Sequence, residues 1–258
     1  IKKGRTMAID LDAIRNRLTS LQSKTKKQNN LWKPEAGKQT IRIVPYQFDK
    51  GNPFREIYFH YDLGKRNYVS PMTNGSADPV VEFAEKLKAT GSSDDWKMAQ
   101  KLMPKMRTYV PVVVRGKESE GVKFWGFGKQ VYAELLSVIS DPDYGDITDL
   151  QGGRDITLEF TPGSEGKYPS TTIRVKPAQT AATDDKNIAN MILNEQKNVD
   201  SDVFPEATYD ELKTALENWL NPEEEEAETP TATTETAAPT GVTTTGDVDK
   251  AFDDLFNS

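Results

Sequence analysis

The chain has no cysteine among its 258 residues and a single histidine, and these two shortages remove whole classes of chemistry. Disulfides, thiolate zinc sites and cysteine nucleophiles are excluded outright. A two-histidine metal site is equally impossible, and His60, set between Phe59 and Tyr61, reads as a structural histidine. No run approaches the roughly 20 apolar residues that span a bilayer. The first thirty residues also lack the apolar centre of a secretory signal, so a cytoplasmic protein is expected. The chain opens on Ile1 rather than Met, from which we expect a short preceding piece that carries further basic residues.

Basic charge is scarce overall, with a formal net charge of -7, but its distribution is lopsided. Residues Ile1 to Lys33 hold nine Lys or Arg against two Asp, and Pro34 to Thr180 hold twenty against nineteen acids. Ala181 to Leu220 hold three against nine, and Asn221 to Ser258 one against ten. The front is basic and the back acidic, an asymmetry that suggests nucleic-acid contact at one end.

Three regions follow from composition. Residues 1–30 form a basic arm in which Ile9, Leu11, Ile14, Leu18 and Leu21 recur at helical spacing, predicting a short amphipathic helix from about Asp10 to Leu21. Residues 31–220 form the core. Strand patterns occupy Thr40–Pro45, Phe54–Tyr61, Arg107–Arg115, Val122–Phe127, Arg154–Thr161 and Ser170–Lys176, where apolar residues alternate with polar ones. Helical patterns cover Pro79–Thr90, Asp95–Met103, Lys129–Ser140, Asn187–Lys197 and Ala207–Leu220. The fold class this predicts is mainly β with inserted helices, an oligonucleotide-binding (OB-fold-like) Greek-key barrel. Residues 221–258 run through Glu223–Glu226 and a Thr, Ala, Pro and Glu mixture that cannot bury a core. Its last twelve residues interleave Val248, Phe252, Leu255 and Phe256 with Asp247, Asp249, Asp253 and Asp254, a pattern suited to folding as a helix on a partner.

Residue patterns that carry catalytic chemistry are few in this sequence. Gly121 and Gly126 have phosphate-loop spacing, but Phe127 stands where the lysine is required. Asp141, Asp143, Asp146 and Asp149 cluster, yet Gly145 is out of place for a calcium loop and no glutamate closes it. Pro142, Tyr144 and Gly145 favour a turn, and a metal-dependent nuclease is the weakest of the alternatives. Basic residues interleaved with aromatics make the positive case: Lys65, Arg66 and Tyr68; Lys105, Arg107 and Tyr109; Lys123, Phe124, Trp125, Phe127 and Lys129. Cations neutralise phosphates, and flat rings stack on bases without reading sequence. Alternation in Val122–Phe127 puts Trp125 opposite Phe124, and we assign Trp125 to the wet face.

The order of segments resembles the single-stranded-DNA-binding, helix-destabilising protein family of T-even-like bacteriophages. The likeness lies in Leu31-Trp32-Lys33, Gly37 through Pro45, Pro53-Phe54 through His60, Asp78-Pro79-Val80-Val81, Val112 through Arg115, Glu120 through Phe124 and Phe127-Gly128-Lys129. It covers about Leu31 to Lys176, with both tails alike in character. The resemblance implies no enzyme but cooperative, sequence-blind coating of single strands in DNA replication, recombination and repair. It further implies self-association through Lys2, Lys3, Arg5 and Thr6, and recruitment of replication and recombination proteins through Asp247 to Phe256. One departure stands out, because the family's zinc site uses one histidine and three cysteines. Here His60 remains, Asp78 and Val81 occupy two cysteine places, and the third falls near Ser70 or Pro71. We therefore expect a zinc-free, cofactor-free variant packed by Val80, Val81, Phe83, Ala84 and Leu87.

The candidate DNA-binding residues are then Tyr109, Trp125 and Tyr168 for stacking, Tyr168 also resembling an aromatic of a DNA-contacting loop in the family. Arg42, Lys105, Arg107, Arg115, Lys123, Lys129, Arg174 and Lys176 are assigned to phosphates, with Lys65, Arg66 and Tyr68 in the rearranged segment. The alternative from another class is a protein-interaction scaffold whose acidic tail only solubilises it.

Overall fold

The computed structural model describes residues 30–64, 66–221, 251–252 and 255–256. The expected N-terminal arm and most of the tail, with Lys2, Lys3, Arg5, Thr6, Lys65, Asp247, Asp249, Asp253 and Asp254, lie outside the described residues.

A run of valines, with Tyr109 and Thr108 ahead of it, makes Lys105–Val114 the longest apolar strand, β5, and the sheet is organised around it. Five further strands complete its surroundings: β2 (Gly37–Ile43), β3 (Arg55–His60), β6 (Lys123–Phe127), β7 (Arg154–Thr161) and β8 (Ser170–Gln179). One edge of β5 carries β6, and the other carries β3 along Lys105–Tyr109 and then β2 along Val112–Val114. Pro111 sits where β5 changes partner from β3 to β2, a place that tolerates a missing N–H. Two-residue strands β1 (Leu31–Trp32) and β4 (Tyr68–Val69) add to β6 and β3. The path runs β1-β6-β5-β2-β7-β8, and only β1 on β6 is parallel, so the fold is a mixed, mainly β sheet with several helices. Among the described residues no pairing of β8 with β1 closes the path into the expected barrel.

The alternation seen in the sequence fixes the main core. Ile41, Ile43, Val110, Val112, Ile156, Leu158, Ile173 and Val175 face inward together, and helix α3 (Lys129–Ile139) lays Val131 and Leu135 on them. A second core is helical. Helices α1 (Pro79–Ala89), α2 (Ser93–Leu102) and α5 (Tyr209–Leu220) bury Phe83, Leu87, Leu102, Leu212 and Leu216, each contributing roughly 2 kcal/mol. Pro79 opens α1 behind an Asp78 cap, and Thr208 and Glu211 close a capping box that starts α5 two residues later than the apolar pattern implied. Helix α4 (Lys186–Asn194) and a wide turn at Val199–Val203 lead back from β8 towards the helical unit. No helix among the described residues is long and apolar enough to cross a membrane.

Candidate nucleic-acid interface

Strand β1, the inner half of β5, β6 and the segment entering α5 surround a cleft of about 1280 Å³. Its floor starts from a glycine. Gly126 on β6 pairs across the strand with Tyr109 on β5, and a Cβ at that position would lie 2.5 Å from Tyr109 Cε1. Only glycine lets the tyrosine ring lie flat over the neighbouring strand. Phe204 packs tilted against that ring, with centroids 4.4 Å apart, and Phe59 and Tyr61 extend the aromatic wall. Trp32, half-buried on β1, lies edge-on to the buried Trp125 behind it.

Two arginines stand among these rings. Arg107 donates to the Gly126 carbonyl at 3.2 Å and lies against the hydroxyls of Tyr61 and Tyr109. Burial pushes the Tyr109 hydroxyl up to about 12, against the opposing pull of Arg107, so it stays a neutral phenol. Arg66 stacks its guanidinium 4.5 Å from the Tyr68 ring centroid and reaches Glu211 of α5 at 3.5 Å. Both side chains of that ion pair are largely exposed, so the pairing is weak and a phosphate can replace the carboxylate. Half-exposed rings with cations between them suit a ligand that is flat and anionic by turns.

Residues 35–219 match the family model described as gp32 DNA binding protein like. The chain belongs to this DNA-binding family. Among curated proteins, none matches it.

Within the gp32-like core the sequence-derived candidates separate. Arg66, Tyr68 and Arg107 line the cleft together, and Tyr109 borders it but is only 8% exposed, which corrects its assignment to stacking: its ring is buried against Phe59, Phe204 and Gly126. Trp125 also borders it but is only 1% exposed, which corrects its assignment to the wet face: its ring packs on Phe127 and Trp32 and completes the main core. Arg42 is a further correction. It is fully buried, donates to Asp155 at 3.1 Å, to the Asp149 carbonyl at 3.2 Å and to the Thr180 carbonyl at 2.8 Å, and so has no donor to offer a phosphate. Burial lowers its pKa from the ordinary arginine value, and Asp155 works against that shift. Arg115 shares the same carboxylate at 2.7 Å and also donates to the Ala181 carbonyl at 2.8 Å, which makes it structural too. Gly153 leaves the room for this cluster, since a Cβ there would come within 2.9 Å of Arg42 Nη1.

The remaining candidates lie away from the cleft lining. Tyr168, 95% exposed, projects from the β7–β8 loop next to Pro169, which does border the cleft. Lys129 heads α3 beside cleft residues Gly128 and Gln130. Lys105 is exposed and sits 3.6 Å from Asp62, Lys123 is half-buried on β6, and Arg174 and Lys176 are on the outer face of β8. Phe204, Tyr61 and Trp32 were missed as site residues. Phe204 stands alone in an acidic, polar stretch, and only its aromatic identity in such surroundings marks it.

The positions that the resemblance sets at zinc ligands include His60, Asp78 and Ser70, and these three are brought together as a hydrogen-bonded core. His60 Nε2 meets Asp78 Oδ2 at 2.9 Å, His60 Nδ1 faces the Leu102 carbonyl at 2.8 Å, and Ser70 Oγ donates to the same Asp78 oxygen. Asp78 Oδ1 accepts from the backbone N–H groups of Val80 and Val81, capping α1. Burial opposes the Asp78 carboxylate, but hydrogen bonds from His60, Ser70 and Val81 outweigh it and hold the carboxyl below its ordinary value. Both imidazole nitrogens are engaged by oxygens and Val81 brings no donor, so this set does not fit a tetrahedral zinc site. The aspartate cluster is likewise occupied. Asp141 caps Asp143, Asp146 caps Thr148 and Asp149 caps Gln151 and Gly152, as turn carboxylates do.

Proposed function

We propose that the cleft binds single-stranded DNA without sequence preference, and that the protein coats strands cooperatively during phage replication, recombination and repair. The observation that carries the reading is the cleft itself: Arg66 and Arg107 interleaved with Trp32, Tyr61, Tyr68 and Phe204 in a DNA-binding family. Bases stack on such rings for roughly 1 to 3 kcal/mol each. A single strand offers free base faces to them, whereas a duplex keeps its bases paired and stacked. Tyr168 at the exposed loop tip and Lys129 beside the cleft extend the track along the strand. In this reading the sheet serves as an oligonucleotide-binding platform of OB-fold type, residues 1–30 link neighbouring copies, the acidic tail recruits replication proteins, and the protein needs no zinc.

The test is intrinsic tryptophan fluorescence during titration with a poly-thymidine oligonucleotide at several salt concentrations, with a duplex of equal length beside it. Trp32 in the cleft is the reporter. Saturable quenching that weakens steeply with salt and is much smaller for duplex is expected. No response to the single strand at low salt would sink the reading.

A further inference from the structure

The last residues of the chain return to its own helical unit. Ala251, Phe252, Leu255 and Phe256 are helical where described and pack against the core of α1, α2 and α5. Phe252, Leu255 and Phe256 fall at helical spacing, so the three share one face. The Phe252 ring meets Phe83 of α1 edge-on at 6.0 Å, and the Phe256 ring meets Tyr209 of α5 at 6.5 Å. Lys213 of α5 holds its ammonium 5.0 Å from the Phe256 ring centroid. Tyr209 is fixed in turn, since its hydroxyl donates to Glu82 of α1 at 2.9 Å and so ties the two helices that receive the tip.

We propose that the face shared by α1 and α5 is a docking site for this protein's own C-terminal tip, and that docking in cis hides Phe252 and Phe256 from any protein that would take hold of them. The occupant is identified by the contacts and by charge. The tip's sequence is acidic around its aromatics, with Asp249, Asp253 and Asp254 beside Phe252, Leu255 and Phe256, and the receiving face presents Lys213 to it. The residues that meet the tip, Phe83, Tyr209 and Lys213, are not among those that line the cleft. A covalently attached tip acts at a high effective concentration, which an external protein must outcompete.

The experiment contains no DNA and is therefore independent of the functional reading above. A fluorescein-labelled peptide spanning residues 247–258 is titrated with the full chain and, separately, with the full chain carrying Phe252→Ala and Phe256→Ala. The variant, its own tip disabled, is expected to capture the peptide at least about tenfold more tightly than the unaltered chain. Adding Tyr209→Ala, or in a separate variant Lys213→Glu, on the receiving face should abolish most of that gain. Equal capture by the unaltered chain and the tip variant, a gain that survives both changes on the receiving face, or no capture by either protein would overturn the proposal.

Discussion

Two regions of the sheet spend arginine in opposite ways. Near the end of β2 and just past the end of β5, Arg42 and Arg115 converge on Asp155, enclosed by the backbone of residues 149 and 180–182. In the cleft, Arg66 and Arg107 stand among aromatic rings, held by an exposed carboxylate, one carbonyl and neutral tyrosine hydroxyls, with no buried carboxylate beside them. The first pair is consumed by folding and the second is left for a ligand. What separates them is whether each guanidinium is enclosed with a buried carboxylate and carbonyls for its donors. A buried cation without them would be too costly to keep, and an exposed one without them costs little.

The strongest way to break this contrast is Arg42→Met. It strips the buried Asp155 carboxylate of one cation and should destabilise the fold by about 4 kcal/mol in urea unfolding, while the folded fraction keeps its affinity for single strands. A loss of affinity with stability intact would reverse the assignment of Arg42. A step smaller, Asp78→Asn removes the charge that His60, Ser70 and the α1 cap share, for a cost of about 3 kcal/mol at neutral pH. Because the folded Asp78 carboxyl titrates below its ordinary value of 3.8, its contribution is full above that pH and fades as pH falls through the folded value. Unfolding midpoints of the two proteins should therefore converge in acid, and a gap that stays constant down to pH 2 would show that the Asp78 charge is not what stabilises the fold. The smallest effect on stability is expected from Arg107→Gln, which should leave the melting temperature nearly unchanged. It should lower single-strand affinity by about tenfold and reduce the salt slope by roughly one. A salt slope identical to that of the unaltered protein would show that Arg107 meets no phosphate.

Much of the framework was legible from local pattern. Arg154–Thr161 was bounded correctly because Ile156 and Leu158 alternate cleanly with polar residues, and Pro79 marked the start of α1. Strands β1 and β4 escaped because two residues carry no period, and they form only by pairing with β6 and β3. Phe204 escaped for a related reason. Val199 and Val203 near it are interrupted by Asp200 and Asp202 and give no regular strand or helix period, and its partner Tyr109 lies far away along the chain.

Ile41-Arg42-Ile43 and Ile173-Arg174-Val175 show where local pattern stops. Both are an arginine between two buried β-branched residues, so by itself the sequence determined two strands and put both arginines on the face opposite the apolar core. Whether that second face meets water was decided only by tertiary structure. The turn after Asp149 and the segment leaving β8 fold over Arg42 and supply acceptors beside Asp155, while among the described residues nothing comparable covers Arg174, which is exposed on the outer face of β8. Alternation records which side of a strand is apolar. It carries no information about what distant chain will cover the other side, and that covering divides a structural arginine from one free to meet a phosphate.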